Sequence, residues 1–398
     1  MCDTVFQNPT YMIVPSMKCQ ASCRYCFGPN IGKTMTLEAV DNTIQYIKML
    51  SEMLEQQTVQ IALHGGEPLC AGYTVIKALI KGLAAAFSGK DLKLSIQSNL
   101  WLLNDAYCEL FKAYDVTVGT SLDGPKAISD AQRGEGYFEQ TMRGIQKLKE
   151  AGIKHGVIAT FTKQSLNEWE TVRSFFQMHQ MPFDCHGAVA SPADARENAW
   201  HLSPEAYRQL FVAMIDDYEN RTSEMKLPVI DQLCRGIYQG ENALCTFRDC
   251  FGMFLIIDPM GDLYPCQRFV GHPMTKLGNI VDAPNAKTLS DSQAGALFLK
   301  RKEAIEQACA ACTHLAYCRG GCAFNAMTNG NLLARDYLCE AYSAIFDHLD
   351  QLMMEELVSD VNINAILVEG ASSEGNPFYR EGTYLEIAKG KHPCINNG

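Results

Sequence analysis

The chain has no apolar run approaching the roughly 20 residues of a membrane span, so no spanning helix is expected. Its opening stretch, MCDTVFQNPTYMIVPSMKC, lacks a basic region followed by an apolar core and a small-residue cleavage site. No export signal is therefore read, and a reducing, cytoplasmic setting is expected. Basic residues are also short: 34 Lys and Arg stand against 45 Asp and Glu, a net charge of −11. A nucleic-acid backbone needs a positive field, so nucleic acid is not expected as a partner, and neither is a membrane. There is no tandem repeat and no low-complexity tract. With 398 residues, 47% of them apolar, the chain can hold two or three globular domains.

Cysteine is present in excess. There are 17, too few per residue for a disulfide scaffold, in a chain too long for that class, and odd in number. In a reducing compartment, clustered cysteines bind metal or do chemistry. Eleven fall into spaced groups, while Cys2, Cys70, Cys108, Cys185, Cys234 and Cys394 are scattered.

From Tyr11 to about Val189, short β-rich runs alternate with amphipathic stretches. Strands are expected from Tyr11, Val59, Leu92, Val116, His155 and Phe183. Helices are expected over Thr36–Met53, with Thr36 as N-cap, and near Thr74–Phe87, Asn104–Tyr114, Phe138–Ala151 and Leu166–His179. Such alternation implies right-handed βαβ units and a parallel α/β sheet. Six units are too few for a closed eight-fold barrel, so a partial (β/α)6 barrel is expected over residues 1–190. Residues 191–244 read as a helical bridge, with ASPADAREN as loop and Pro204–Tyr218 as helix. Residues 245–345, poor in strands and dense in cysteine, read as a small domain organised by metal. Residues 346–398 read as the end of a helix (Ala341–Leu357) followed by a polar tail.

Cys19, Cys23 and Cys26 form C-x3-C-x2-C directly after the first strand. Four ligands would close a zinc site or a 4Fe–4S cube, whereas three leave one iron of a cube open. Incidental cysteines, or zinc with a distant fourth ligand, are the plainer alternatives. The motif, with Tyr25 before its last cysteine, resembles the hallmark of the radical S-adenosylmethionine (SAM) superfamily. That resemblance implies a cluster whose open iron chelates SAM, and an electron that cleaves SAM to a 5′-deoxyadenosyl radical. A small donor such as a ferredoxin or flavodoxin would supply the electron. Three further segments agree, each just past an expected strand. Gly65-Gly66-Glu67-Pro68 resembles the motif that holds the SAM amino group, and a carboxylate suits an ammonium. Asn99 resembles a position near the SAM ribose and carboxylate, and Ser121 a ligand of the carboxylate. Arg133 fits a downstream arginine of the family, although a surface ion pair explains it equally well. Any one of these is also an ordinary strand-to-helix turn. All of them at the carboxyl ends of successive strands mark the ligand edge of an α/β sheet.

The second group runs C-x10-G-x4-C from Cys250 (Gly261, Cys266), then C-x2-C-x5-C-x3-C (Cys309, Cys312, Cys318, Cys322), then Cys339. A pair of zinc ribbons is the bland reading. The order resembles the SPASM extension of radical SAM enzymes, which carries two auxiliary 4Fe–4S clusters, making three with the first. The resemblance assigns Cys309, Cys312, Cys318 and Cys339 to the distal cluster, and Cys250, Cys266 and Cys322 to the one nearer SAM. Cys245 is the candidate for the fourth ligand there, although C-x4-C replaces the x5 spacing of sulfatase-maturating relatives.

SPASM relatives act mostly on polypeptides, which implies a peptide partner. Sulfatase-maturating enzymes, which oxidise Cys or Ser to formylglycine, share GGEP and SLDGP, but they place an aspartate base where Gln267 stands. The runs CQRFVG (from Cys266), LGNI (from Leu277) and CFGPN (from Cys26) look more like maturases of ribosomally made precursor peptides, which install thioether or carbon–carbon cross-links. A peptide maturase is thus the first expectation and a sulfatase-maturating enzyme the second. A non-catalytic Fe–S or zinc interaction module is the third. Gln267 and Arg268 are the candidate substrate contacts; Arg268 either meets an acidic peptide or braces its own loop. Only 18 residues precede Cys19, so no N-terminal leader-binding module is expected.

Overall fold

The first strand, β1 (Thr10–Ser16), pairs in parallel with β2 (Thr58–Gly65), and Tyr11 lies in register with Ile61, which lies in register with Leu94 of β3 (Asp91–Gln97). Side chains alternate across a strand, so one such row faces outward. There it meets the helices that cross back over the sheet, α1 (Leu37–Met53) and α2 (Tyr73–Ala86). Val40, Ile44, Ile47 and Leu50 of α1 and Ile76, Leu79, Ile80 and Leu83 of α2 are buried in the same core. Each such aliphatic side chain contributes about 1.5–3 kcal/mol of burial. The Thr36 hydroxyl accepts the Ala39 N–H and caps α1, as its sequence position suggests.

The pattern repeats through α3 (Asp105–Ala113), β4 (Thr117–Ser121), α4 (Lys126–Arg133), α5 (Tyr137–Ala151), β5 (His155–Phe161), α6 (Trp169–Met178) and β6 (Phe183–Gly187). The structure is a computed structural model and describes residues 5–28, 30–191, 200–219, 227–328 and 330–358. All six expected strands form, in parallel and in sequence order, as an open partial barrel. The short helix α4 was not foreseen; it is strongly polar on one side and carries Arg133 at its last turn.

Two helices, α7 (Pro204–Glu219) and α8 (Pro228–Gln239), lead from the barrel to the cysteine-rich part. Most of the expected ASPADAREN loop, and the polar tail after residue 358, lie outside the described residues. The cysteine-rich part is not a separate layer. Its strands β7 (Phe254–Ile257), β8 (Asp262–Tyr264) and β9 (Gly278–Asn279) continue the main sheet on the far side of β1. The order is β6-β5-β4-β3-β2-β1-β7-β8-β9, with β7 parallel to β1 and the last two pairings antiparallel. Helices α9 (Ala286–Asp291), α10 (Gln293–Ala308), α11 (Leu315–Cys318), α12 (Ala323–Thr328) and α13 (Cys339–Val358) complete the described residues. The expected boundary at 345 falls within α13. No helix among the described residues is long and apolar enough to cross a membrane.

Candidate functional site

The carboxyl ends of β1 to β4 converge on the loop of Cys19, Cys23 and Cys26. The Gly66 N–H donates to the Ser16 carbonyl (3.1 Å) and the Glu67 N–H to the Lys18 carbonyl (2.7 Å). This close approach requires both glycines. Gly65 has φ +134°, and a Cβ on Gly66 would stand 2.4 Å from the Met17 carbonyl oxygen. The GGE turn is thereby locked against the chain that enters the cysteine loop.

Glu67 is buried, 1% exposed, and its carboxylate accepts three protein donors: Leu69 N–H (2.9 Å), the Ser98 hydroxyl (2.8 Å) and Asn99 N–H (2.7 Å). It ties the end of β2 to the end of β3. Burial pushes its pKa up to about 7, against these hydrogen bonds, which pull it down. Asn99 in turn reaches the cluster loop. Its Nδ2 donates toward Cys19 Sγ (3.7 Å), and its Oδ1 accepts from Gln20 Nε2 (3.1 Å). Ser121 Oγ accepts from Gln97 Nε2 (3.2 Å).

Arg133 corrects one alternative. It is 6% exposed and forms no surface ion pair. Its Nε and Nη2 donate to the two oxygens of Asp123 (2.8 and 2.7 Å), a bidentate pair. Its Nη1 points at Cys23 Sγ (3.9 Å), and its guanidinium lies over the rings of Tyr25 and Tyr137 at 5.3 and 5.2 Å. Asp123 also accepts from Gln132 Nε2 (2.7 Å), Thr160 N–H (2.9 Å) and the Tyr25 hydroxyl (3.0 Å). The sequence alone assigns Asp123 no role beyond its place in SLDGP. The signal available was an acidic residue ten positions before a lone arginine. His64 was passed over as well: its Nδ1 accepts the Gly65 N–H (2.7 Å), and burial lowers its pKa to about 4. The neutral ring therefore carries its proton on Nε2.

Two donors, Asn99 Nδ2 and Arg133 Nη1, are thus aimed at two of the three sulfurs, an arrangement suited to thiolates of a cluster. Burial raises the Cys19 thiol to about 12 and the Cys23 thiol to about 11. Iron reverses that preference, because a coordinating thiol is deprotonated outright.

In the second region the thiols separate into two groups of four. Burial raises Cys245, Cys250 and Cys266, and next to burial the Cys322 thiol raises each of them. Burial likewise raises Cys309, Cys318 and Cys339, with mutual thiol contributions that include Cys312. Among the described residues no three His, Cys, Asp or Glu side chains converge tightly enough for a single metal ion.

The two cysteine regions meet at Arg268. Its guanidinium lies over Phe27, next to Cys26, at 5.8 Å and over Phe324 of α12 at 5.6 Å, and its Nη1 donates to Asn325 Oδ1 (3.3 Å). Phe27 and Phe324 are themselves in edge contact at 6.2 Å. Arg268 therefore braces the junction of the two loops. Gln267 Oε1 is buried with no hydrogen-bond partner among the described residues.

Comparison with known proteins finds a match in each of the two cysteine regions. A model of the radical SAM superfamily matches residues 13–176, and one of the SPASM iron–sulfur cluster-binding domain matches residues 245–313. An uncharacterized protein of Methanothermobacter thermautotrophicus is 32% identical over 57% of this chain and 86% of its own length. The serine-type anaerobic sulfatase-maturating enzyme of Bacteroides thetaiotaomicron is 24% identical over 92% of this chain and 97% of its own. Among solved structures, native anSMEcpe with bound AdoMet covers 87% of this chain and 99% of that one, with TM-score 0.76 at 20% identity. Streptococcus suis SuiB bound to the precursor peptide SuiA covers 84% of this chain and 76% of that one, with TM-score 0.60 at 19% identity. The chain belongs to the radical SAM superfamily, and it is a radical SAM/SPASM enzyme of oxidoreductase type that works with S-adenosylmethionine and 4Fe–4S clusters.

Proposed function

We propose that this enzyme oxidatively modifies a side chain within a polypeptide, starting with hydrogen abstraction by a 5′-deoxyadenosyl radical. The observation that carries this reading is the Phe27–Arg268–Phe324 junction, which brings the SAM-type cysteine loop against the SPASM cysteines. A substrate seated at that junction lies within reach of both the radical source and an electron acceptor. Support for a polypeptide comes from the near full-length likeness to sulfatase-maturating enzymes, which act on proteins, and from the SuiB structure with its precursor peptide. Of the two products, formylglycine is favoured by that likeness. A thioether or carbon–carbon cross-link is favoured by Gln267, an amide that cannot take a proton.

In this reading Cys19, Cys23 and Cys26 hold the SAM-binding cluster. Cys309, Cys312, Cys318 and Cys339 hold the distal cluster, and Cys245, Cys250, Cys266 and Cys322 close the near one. Gly65, Gly66, Glu67, Asn99 and Ser121 border the SAM site, with Tyr25 and Arg133 bracing it. Bound clusters supply reductive cleavage of SAM and an acceptor for the electron that the substrate radical gives up. Anaerobic incubation with SAM, dithionite and a peptide library displaying every side chain should raise 5′-deoxyadenosine output above the peptide-free level. Cross-linking returns peptides short of two hydrogens, whereas formylglycine formation from cysteine returns an aldehyde and free sulfide. Stimulation by free amino acids or nucleosides alone, with no peptide altered, would overturn the reading.

Glu67 gives a second test. Glutamine offers one carbonyl oxygen to the donors that now share two carboxylate oxygens, and it removes the charge facing the SAM ammonium. Glu67→Gln should weaken SAM binding by about 1.5–3 kcal/mol, the scale of a charged hydrogen bond. With a ligand-free pKa near 7, the carboxyl is protonated below that pH and must ionise to meet the ammonium. SAM affinity should therefore rise as pH increases to about 7 and then level off, and Glu67→Gln should flatten this profile. Equilibrium binding under anaerobic conditions measures both effects, and unchanged affinity would leave Glu67 as a turn residue only.

A further inference from the structure

Hydrogen abstraction leaves a carbon radical on the substrate. To reach a closed-shell product that radical must lose one electron and one proton, whether a C=O, C=S or C–S bond results. The electron goes to an auxiliary cluster, as above; the proton needs a base near the junction, and Gln267 is not one. Most titratable side chains around the inner face are already committed. Glu67 is given to three protein donors and the SAM ammonium, Asp123 is filled by protein donors, and the Nδ1 of His64 is taken by Gly65. Asp184 is buried and accepts the Cys185 N–H (2.9 Å).

His186 differs from all of these. Phe183 and Cys185 of β6 point outward into the helix-packed core, where Phe183 stacks on Phe176 at 4.1 Å. Alternation turns Asp184 and His186 to the inner face of the barrel. Protein surrounds His186 there, yet its ring is open to solvent in the cavity, and among the described residues no hydrogen bond to the ring is seen. Its register neighbour on β5 is Thr160, whose N–H donates to Asp123 (2.9 Å), the carboxylate that also accepts the Tyr25 hydroxyl of the first cysteine loop. From the opposite side Arg268 of the SPASM loop acts on it electrostatically. His186 thus stands between the radical-generating loop and the near-cluster loop, where the substrate side chain has to lie.

We propose that His186 is the proton acceptor of the reaction, taking the proton that the substrate radical sheds as its electron leaves. Two charged groups act on the ring, Asp184 from its own strand and Arg268 across the cavity. Burial lowers its pKa, Asp184 raises it and Arg268 lowers it, with a net lowering that keeps the imidazole neutral at pH 7 and able to accept. The inference rests on the function proposed above for the identity of the substrate, but not for the position of the residue.

Two arms test it on the reconstituted holoenzyme. In the first, diethyl pyrocarbonate should carbethoxylate His186 with SAM present, and the peptide that raises 5′-deoxyadenosine output should protect it at least tenfold, read by peptide mapping. In the second, His186→Gln and His186→Ala, checked for parent-like iron content and circular dichroism, should lose product by about 100-fold or more, the range of a general base. Added imidazole should restore His186→Ala in proportion to its neutral form as pH is raised, which a folding defect would not allow. Product within about threefold of the parent in His186→Gln, or equal carbethoxylation with and without substrate, would overturn the assignment. If the parent modifies no peptide, the polypeptide reading fails instead. The protection arm, run with whichever compound stimulates 5′-deoxyadenosine, still decides His186.

Discussion

Replacing Cys19, Cys23 and Cys26 together by alanine should abolish 5′-deoxyadenosine formation and remove about a third of the iron, four of about twelve atoms if three cubes are bound. The loop that carries these cysteines is held by contacts that do not depend on their sulfurs. Cys19 N–H donates to the Asn30 carbonyl (3.1 Å), Arg24 N–H to the Gln132 carbonyl (2.8 Å), and the GGE turn is pinned to Ser16 and Lys18. The other eight grouped cysteines sit in a part of the chain with aromatic packing of its own, where Phe298 stacks on Phe251 at 5.4 Å and Phe269 meets Phe298 and Phe324 edge-on. The variant should therefore fold and keep the auxiliary iron, so the loss is one of chemistry. Iron and sulfide assays with chromatography of the SAM products measure both quantities. SAM cleavage at the parent rate would refute the assignment of the radical source to this loop.

The barrel was legible because its signals are local. Alternation in YMIVP and LKLSIQ, the Thr36 cap and the spacing of apolar residues in α1 specify elements without reference to the rest of the chain. The cysteine groups were legible for the same reason, since spacing in sequence carries ligand geometry. The chain spells out less of what is non-local. Strand β9 is two residues long and β8 three, too short for any period to register, and β7 joins β1 across more than 240 residues of sequence. The role of Asp123 emerges only when α4 brings Gln132 and Arg133 back over the end of β4. For Arg133 the sequence left a family arginine and a surface ion pair equally open, because nothing in its own helix shows that two tyrosines and a carboxylate enclose it. His186 sits in an unremarkable strand, and only the outward packing of Phe183 and Cys185 fixes which way it faces.

Asp123 should be among the most costly positions outside the cysteines. Its side chain is 1% exposed and neutralises a guanidinium that is itself almost fully buried. Burial works against the charged form of Arg133, and Asp123 is the largest influence restoring it. Asp123→Ala leaves that charge enclosed without an anion and strips acceptors from Gln132, Tyr25 and the Thr160 N–H. Breaking one side of a buried pair costs about 3–5 kcal/mol, so urea unfolding of the cluster-free protein should show a loss of that size. Removing both charges is a different perturbation: Asp123→Ala with Arg133→Met leaves no buried charge and should be destabilised by less than the sum of the two single variants. The double-mutant cycle separates a coupled pair from two independent residues, since uncoupled sites would add to within about 0.5 kcal/mol. The same substitutions reach the cofactor loop by a second route. Without Asp123 the guanidinium is no longer held against Cys23 Sγ or over the Tyr25 ring, so the single variant should bind SAM more weakly even where it remains folded. Additivity in the cycle together with parent-like SAM affinity would reduce the pair to a packing feature.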